Sequence, residues 1–88
     1  MKKSRIDESR EMLVRAFYFA LGSYTEQESK KLDEWRDRSI GELYAHLKHE
    51  LEEIRRSKDF TKQLHNCMDA VMLSVILLAK VMKAGGLL

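Results

Sequence analysis

The 88 residues of this chain contain no proline. Proline is the strongest breaker of a helix interior, because it lacks the backbone N–H and its ring clashes with the preceding turn. The abundant residue types, which are Leu, Lys, Glu, Arg, Ala and Met, are good helix formers. The sequence therefore predicts an all-α fold, with one helical domain over residues 1–88 that forms an antiparallel helical hairpin or bundle of about four helices.

The apolar run near the end of the chain predicts that this domain is oligomeric. From Ala70 to Met82 the sequence is apolar nearly all round a helix, although it includes Lys80. The run is too short to span a bilayer, which needs roughly 20 residues. A helix that is apolar on every side is buried on every side. Because a chain this short can hardly wrap such a helix alone, we expect a second copy to cover it, in a homodimer or homotetramer.

Local signals place the helix boundaries. Apolar spacing predicts a first helix over residues 6–21, which Gly22 and Ser23 would end. Residues 25–28 and 39–42 each begin with a hydroxyl residue and end with glutamate, the pattern of a capping box at a helix start. The second pattern is also compatible with a bend in a continuing helix. Between them we expect a short polar helix with Leu32 and Trp35 on its buried side.

The second half of the chain predicts two long helices. The third helix has an apolar stripe and should end near Ser57; the stripe consists of Ile40, Leu43, Tyr44, Leu47, Leu51 and Ile54. Asp59 is the expected N-cap of a last helix over residues 60–83, which Gly85 and Gly86 would close. We expect Trp35, Tyr44 and Phe60 to be packing residues, with stacking on a base as a secondary role for Trp35.

Net charge and cysteine content indicate which classes of partner and which cellular location to expect. The net charge of +2 comes from 16 basic and 14 acidic residues, a balance too even to indicate a nucleic acid or an anionic membrane as partner. The first twelve residues are charged throughout and lack the apolar core of a signal peptide. The single cysteine, Cys67, is expected to be buried and fits a cytoplasmic location.

Three carboxylates at the join of the last two helices are the candidate site. Glu50 and Glu53 are three residues apart and share a helix face, and Glu50 interrupts the apolar stripe. Asp69 opens an apolar row on the next helix, where an antiparallel hairpin brings Asn66 and Asp69 roughly level with the two glutamates. Carboxylates are rarely buried without a partner.

A divalent cation would relieve the repulsion among these carboxylates. Oxygen ligands favour Mg²⁺ or Mn²⁺, and magnesium usually binds substrate phosphates as well. The pattern suggests hydrolysis of a phosphate ester or phosphoanhydride, with Lys80 and Lys83 as candidate contacts for phosphate. The alternative is that the acids form ion pairs with Lys or Arg on a solvated helix face.

The histidines offer a competing metal site. His46 precedes Glu50 by four residues, and His65 precedes Asp69 by four. These four side chains could hold zinc or iron if the two faces converge. Metal sites in helical bundles use Glu-x-x-His, however, and here histidine precedes the acid by four residues. Ordinary surface histidines are the simpler interpretation.

The segment 47–54, Leu-Lys-His-Glu-Leu-Glu-Glu-Ile, resembles the first motif of the MazG-like all-α nucleoside triphosphate pyrophosphohydrolases. That family carries Glu-Glu-x-x-Glu on one helix and Glu-x-x-Asp on the next. The second motif here is Asn-Cys-Met-Asp at 66–69. The lead-in at 45–48, the upstream Trp35, the later apolar run and Gly85 are also similar to the family. The resemblance covers residues 35–86, and residues 1–24 add an N-terminal helix.

The resemblance implies that Glu50, Glu53 and Asp69 bind Mg²⁺ or Mn²⁺ and cleave a nucleotide substrate to the monophosphate and pyrophosphate, in a dimer or tetramer. Two positions depart from the pattern, because His49 and Asn66 stand where glutamates are usual. Asn66 can still ligate through its carbonyl as a fourth ligand but brings no charge, so the site would hold metal less tightly and could be inactive. The alternative function is a non-catalytic helical adaptor that self-assembles through its last helix.

Overall fold

The computed structural model describes residues 3–88, which form helices and turns and contain no strand. The four α-helices in chain order are α1 (Arg5–Gln27), α2 (Ser29–Glu34), α3 (Ile40–Arg56) and α4 (Phe60–Ala84). A 3₁₀ turn (Trp35–Asp37) joins α2 to α3. The all-α prediction is thus confirmed for the described chain, whereas residues 1 and 2 of the predicted N-terminal segment lie outside it. No helix in residues 3–88 is long and apolar enough to cross a membrane.

The largest interface joins α3 to α4, and only part of α1 packs against this pair. Residues 57–59 connect α3 to α4, and so short a connection makes the two helices antiparallel neighbours. The buried apolar core draws on α1, α3 and α4; its members are Ala20, Tyr24, Leu43, Met68, Met72, Leu73 and Ile76. Phe17, Leu21, Leu32, Trp35, Leu47 and Leu77 pack around it.

Local capping chemistry explains where α3 and α4 begin and end. Ser39 accepts a hydrogen bond from the Glu42 amide, and the Glu42 carboxylate accepts one from the Ser39 amide, which confirms the capping box. Asp59 occupies the N-cap position of α4, but its side chain accepts no capping hydrogen bond there. Gly86 ends α4 with φ of +79°, a left-handed conformation that glycine adopts without strain.

The predicted end of α1 is wrong. The helix continues through Gly22 to Gln27, and the Thr25 hydroxyl donates to the Leu21 carbonyl at 2.9 Å instead of capping a new helix. The reason is tertiary, because Ala20 and Tyr24 on either side of Gly22 are each only 1% exposed against the α3–α4 pair. That packing stabilises a glycine that costs roughly 1 kcal/mol relative to alanine.

Several residues predicted to be buried are exposed in the single chain. Cys67 is exposed, and so are Tyr44 and Phe60, which were predicted to pack. Of the α3 stripe, Ile40 and Leu51 are also exposed. The physical reason is that α4 is covered by α1 and α3 on one side only, which leaves Val71, Leu78 and Val81 at its open side.

Candidate functional site

The polar centre of the fold lies where all four helices meet. Tyr24 of α1, Lys31 of α2 and Asp69 of α4 are in contact there, and Glu28 at the α1–α2 junction joins them. The charge of Glu50 on α3 acts on Tyr24 and Lys31. We call these five residues the carboxylate cluster. Two of its three carboxylates, Glu50 and Asp69, were predicted from the sequence as candidate site residues.

Tyr24 connects the cluster to the core. Its side chain is 1% exposed, and its hydroxyl donates to Asp69 Oδ1 at 3.0 Å. Burial raises the pKa of Tyr24 far above its ordinary value, and the negative charge of Asp69, the hydrogen bond to it and the charges of Glu28 and Glu50 raise that pKa further. Tyr24 is therefore a fixed hydrogen-bond donor that holds one oxygen of Asp69.

Lys31 supplies positive charge to the cluster. Its Nζ lies 2.9 Å from Glu28 Oε1, 4.0 Å from Asp69 Oδ1 and 5.6 Å from the centre of the Tyr24 ring. Burial alone lowers the pKa of Lys31, but the hydrogen bond to Glu28 and the charges of Asp69, Glu28 and Glu50 outweigh it, so that this pKa stands above its ordinary value. The ammonium group is thus held in its charged form beside the carboxylates.

Glu50 is the buried charged residue of the described chain, at 8% exposure. Its Oε1 lies 3.4 Å from His46 Nε2, and His46 Nδ1 lies 3.4 Å from Arg38 Nη1. Because a guanidinium can only donate, Nδ1 accepts and the ring proton sits on Nε2, facing Glu50. The second oxygen, Oε2, is buried without a hydrogen-bond partner among the residues described.

The remaining predicted ligands lie close to these residues in sequence. Glu53, one turn beyond Glu50 on α3, is half-buried and lines a surface depression at the α3–α4 turn together with Arg56, Lys58 and Lys62. Asn66, one turn before Asp69 on α4, is also half-buried. The charges of Glu50 and Asp69 therefore both act on Tyr24 and Lys31. In the part of the chain that the structure describes, neither Glu53 nor Asn66 forms a hydrogen bond or ion pair with these residues.

The two lysines predicted to meet phosphate lie elsewhere. Lys80 is about three turns beyond Asp69, roughly 16 Å along the axis of α4. Its Nζ donates to the Arg36 carbonyl at 3.1 Å, and Lys83 lines the same cavity as Lys80. The cation that does accompany the carboxylates, Lys31, was not identified from the sequence.

Tyr24 and Glu28 were also not predicted from the sequence as members of the carboxylate cluster. One signal was present for Tyr24, because it continues the row of Phe17, Ala20 and Leu21 at helical spacing past Gly22. Glu28 and Lys31 gave no such signal, because they lie in a segment of mostly charged and polar residues. Apolar spacing cannot distinguish one of these residues from its neighbours. Their role depends on how α2 folds back toward α4.

Within residues 3–88, no three His, Cys, Asp or Glu side chains stand close enough together to enclose a metal ion. For the histidine alternative, His46 contacts Glu50 on one face, whereas His65 is exposed on α4. An ion bound mainly by water and substrate phosphates does not need a full protein cage, because Mg²⁺ commonly uses one or two carboxylates. Glu50 Oε2, which is buried without a hydrogen-bond partner among residues 3–88, is the candidate ligand oxygen for such an ion.

The fold and site thus define a small all-α protein with a partly buried carboxylate cluster at a four-helix junction. No protein-family model, curated protein or solved structure matches this chain.

Proposed function

We propose that the chain is a Mg²⁺- or Mn²⁺-dependent hydrolase of the MazG-like type, which cleaves a nucleoside triphosphate or a related phosphoanhydride to the monophosphate and pyrophosphate. Glu50 and Asp69 would be the first metal ligands, with Glu53 and Asn66, each one turn away on the same helix, as the further ligands that the sequence predicts. The observation that carries the proposal is the buried Glu50 carboxylate, whose Oε2 has no hydrogen-bond partner among residues 3–88 and whose charge, like that of Asp69, acts on Tyr24 and Lys31.

Burying a charged group costs free energy unless the group is paired. Leaving a buried polar oxygen without a partner costs about 1–3 kcal/mol, and more when the group is ionised. An unsatisfied group of this kind in a folded protein calls for an explanation, such as an ion at the site. A divalent cation near Glu50 would convert this cost into binding energy and would offset the repulsion between Glu50 and Asp69.

The protein residues around the cation have separable roles. The Tyr24 hydroxyl occupies Oδ1 of Asp69 and so orients its carboxylate. Lys31 provides a charged ammonium group that can meet a phosphate oxygen. A bound Mg²⁺ would polarise the phosphoryl oxygens and lower the pKa of an attacking water. Asn66, in place of a glutamate, would lower the charge of the ligand set and therefore the affinity for metal.

The test compares Glu50→Gln with Glu52→Gln. Both variants remove one negative charge from α3, but the Glu52 side chain is 46% exposed and pairs only with Arg55, at 3.8 Å. We expect millimolar Mg²⁺ or Mn²⁺ to raise the melting temperature of the wild type and of the Glu52 variant. The Glu50 variant should be at least as stable without metal, because a buried charge is gone, and should lose the metal-dependent increase.

Pyrophosphate release from a panel of nucleoside triphosphates tests the reaction itself. Activity should require metal and should be lost in Glu50→Gln but kept in Glu52→Gln. The proposal fails if neither ion changes the melting temperature of the wild type and no nucleotide yields pyrophosphate. A metal response of the same size in Glu50→Gln would remove Glu50 from the ligand set.

A second candidate function, a non-catalytic adaptor that self-assembles, is supported by the first half of α1. Its large apolar side chains face solvent, with Ile6 79% exposed and Leu13 71% exposed. The radius of gyration is 14.8 Å, against about 12 Å for a compact chain of this length, which agrees with a helix that extends beyond the core. A homodimer or homotetramer would cover this surface and the open side of α4.

Light scattering after size-exclusion chromatography tests the oligomer, with Leu13→Glu as the variant and Gln27→Glu, which adds the same charge at the exposed far end of the same helix, as its control. We expect an oligomer that Leu13→Glu weakens and Gln27→Glu leaves intact. A monomeric wild type would contradict self-assembly. An oligomer without any metal response would favour the adaptor over the hydrolase.

A further inference from the structure

A cavity at the other end of the α3–α4 pair has a chemistry of its own. It measures about 390 Å³ and lies between the 3₁₀ turn, the start of α3 and the end of α4. Its lining consists of Trp35, Arg36, Ile40, Lys80, Lys83 and Ala84. The volume falls within the range of small-molecule sites, roughly 300–1,000 Å³.

The charged part of this lining is entirely positive. Arg36 and Lys83 are exposed, and Lys80 is held in place by its hydrogen bond to the Arg36 carbonyl. The carboxylate that acts on Lys80 is Glu42, whose oxygen accepts a hydrogen bond from the Ser39 amide at 3.2 Å in the capping box. Glu42 does not line the cavity, and no carboxylate of residues 3–88 is among its lining residues, so the cations retain the capacity to bind an anion.

The uncharged part of the lining is aromatic and aliphatic. Trp35 packs against the core with part of its surface and lines the cavity with another part. The Arg36 guanidinium carbon lies 6.0 Å from the centre of the Trp35 ring. Ile40, at the start of α3, is 49% exposed at the same place. A flat apolar surface bordered by cations fits a ligand with a planar ring and an anionic group.

We propose that this cavity binds a nucleoside monophosphate or a similar aromatic phosphate, with the base against Trp35 and Ile40 and the phosphate at Arg36 and Lys83. The site is separate from the carboxylate cluster, because Lys80 lies roughly 16 Å along α4 from Asp69. It needs no metal ion and therefore does not rest on the hydrolase proposed above.

Trp35 makes the test direct, because it is the only tryptophan of the 88 residues. Its indole N–H gives a single resonance in ¹H–¹⁵N spectra. Because Trp35 also borders a depression beside Tyr24 and Lys31, variants at Arg36 and Lys83 are needed to assign a shift to this cavity. Adenosine 5′-monophosphate is titrated into the full chain in the presence of EDTA, so that the outcome is independent of any metal site. We expect a saturable shift of the indole resonance, with an affinity that falls as salt concentration rises.

The variants Arg36→Ala and Lys83→Ala should each weaken binding by about fivefold, the usual effect of losing one exposed charge-assisted contact to an anion. Lys62→Ala is the matched control, because Lys62 is exposed on the same helix as Lys83 but at the α3–α4 turn. All three changes lie on the surface, so folding is expected to be preserved, and circular dichroism checks it.

Adenosine alone and inorganic phosphate alone complete the design. Both should bind more weakly than the monophosphate, because each satisfies only one part of the lining. An unmoved indole resonance at millimolar monophosphate overturns the proposal. If adenosine binds as tightly as the monophosphate, the cations have no role. If inorganic phosphate binds as tightly, the Trp35 ring has no role. If Lys62→Ala weakens binding as much as Arg36→Ala and Lys83→Ala, the proposed location is wrong.

Discussion

The hydrogen bond from Tyr24 to Asp69 gives the sharpest test of how the four helices are held together. Tyr24→Phe removes one hydroxyl and leaves the ring in the core. The lost bond is 3.0 Å long and ends on a carboxylate, and such bonds contribute about 1.5–3 kcal/mol. Asp69 keeps 19% of its side-chain surface exposed and has Lys31 at 4.0 Å. Water can therefore donate to the freed oxygen of Asp69 and recover part of the lost hydrogen-bond energy. We expect a destabilisation of about 1.5–2 kcal/mol, in the lower part of that range.

Urea unfolding followed by circular dichroism measures this free energy, and a thermal melt should show a decrease of roughly 10 °C for a chain of this size. Tyr18→Phe is the matched control, because the Tyr18 side chain is 64% exposed on the same helix. We expect the control to change stability by less than about 0.5 kcal/mol. Equal stabilities for the wild type and Tyr24→Phe would refute the inference that this bond ties α1 to α4.

The same residue predicts how stability depends on pH. In the folded protein, burial and then the charge of Asp69 and the hydrogen bond to it raise the pKa of Tyr24. In the unfolded protein the pKa of a tyrosine is about 10. The stabilisation that the protonated Tyr24 hydroxyl gives the folded protein is therefore complete below about pH 10. It is lost as the pH rises above that value. The free energy of unfolding should fall by up to about 1.4 kcal/mol per pH unit there. Tyr24→Phe should lack this part of the slope; an identical slope in both proteins would contradict the raised pKa.

Three further predictions concern capping, packing and exposure. Ser39→Ala should lower the free energy of unfolding by about 1 kcal/mol, measured in urea, because the capping box of α3 is lost; no change would mean that the cap is replaced by water. Leu43→Ala should lower the free energy of unfolding by about 3 kcal/mol, since this side chain is 1% exposed. Leu51→Ala, on the exposed side of α3, should lower it by less than about 1 kcal/mol. Equal losses in the two variants would contradict the burial pattern. Cys67 is exposed and should react with a thiol reagent in the native state as fast as in urea, and strong protection would indicate that an oligomer covers it.

The sequence predicted α3 well because both of its ends depend on local chemistry. The capping box at Ser39 needs only Glu42, three residues later, and the turn after Arg56 needs only a polar segment. The end of α1 was mispredicted because Gly22 was treated as a local stop. Helix propensity differs by only about 1 kcal/mol between glycine and alanine, and the burial of Tyr24 against the core outweighs it.

For the candidate site, the sequence identified Glu50 and Asp69 because each acid interrupts an apolar row, which is a local anomaly. It did not identify their partners. Tyr24 lies 45 residues from Asp69 in the chain, and nothing in the pattern around Lys31 distinguishes it from the lysine beside it. Lys80 and Lys83 were assigned to phosphate at the carboxylates, although their spacing along the helix already places them several turns beyond Asp69. The tertiary structure adds that Lys80 donates to the Arg36 carbonyl.

The sequence by itself determined that this protein is helical, where the α3–α4 turn falls, and that two carboxylates sit against apolar neighbours. These properties depend on propensity, capping and periodicity, which act within one or two helical turns. Only the tertiary structure decided which side of α4 is covered, that α1 runs through its glycine, and that Tyr24, Glu28 and Lys31 surround Asp69. Those outcomes depend on contacts between residues far apart in the chain, which no local pattern encodes.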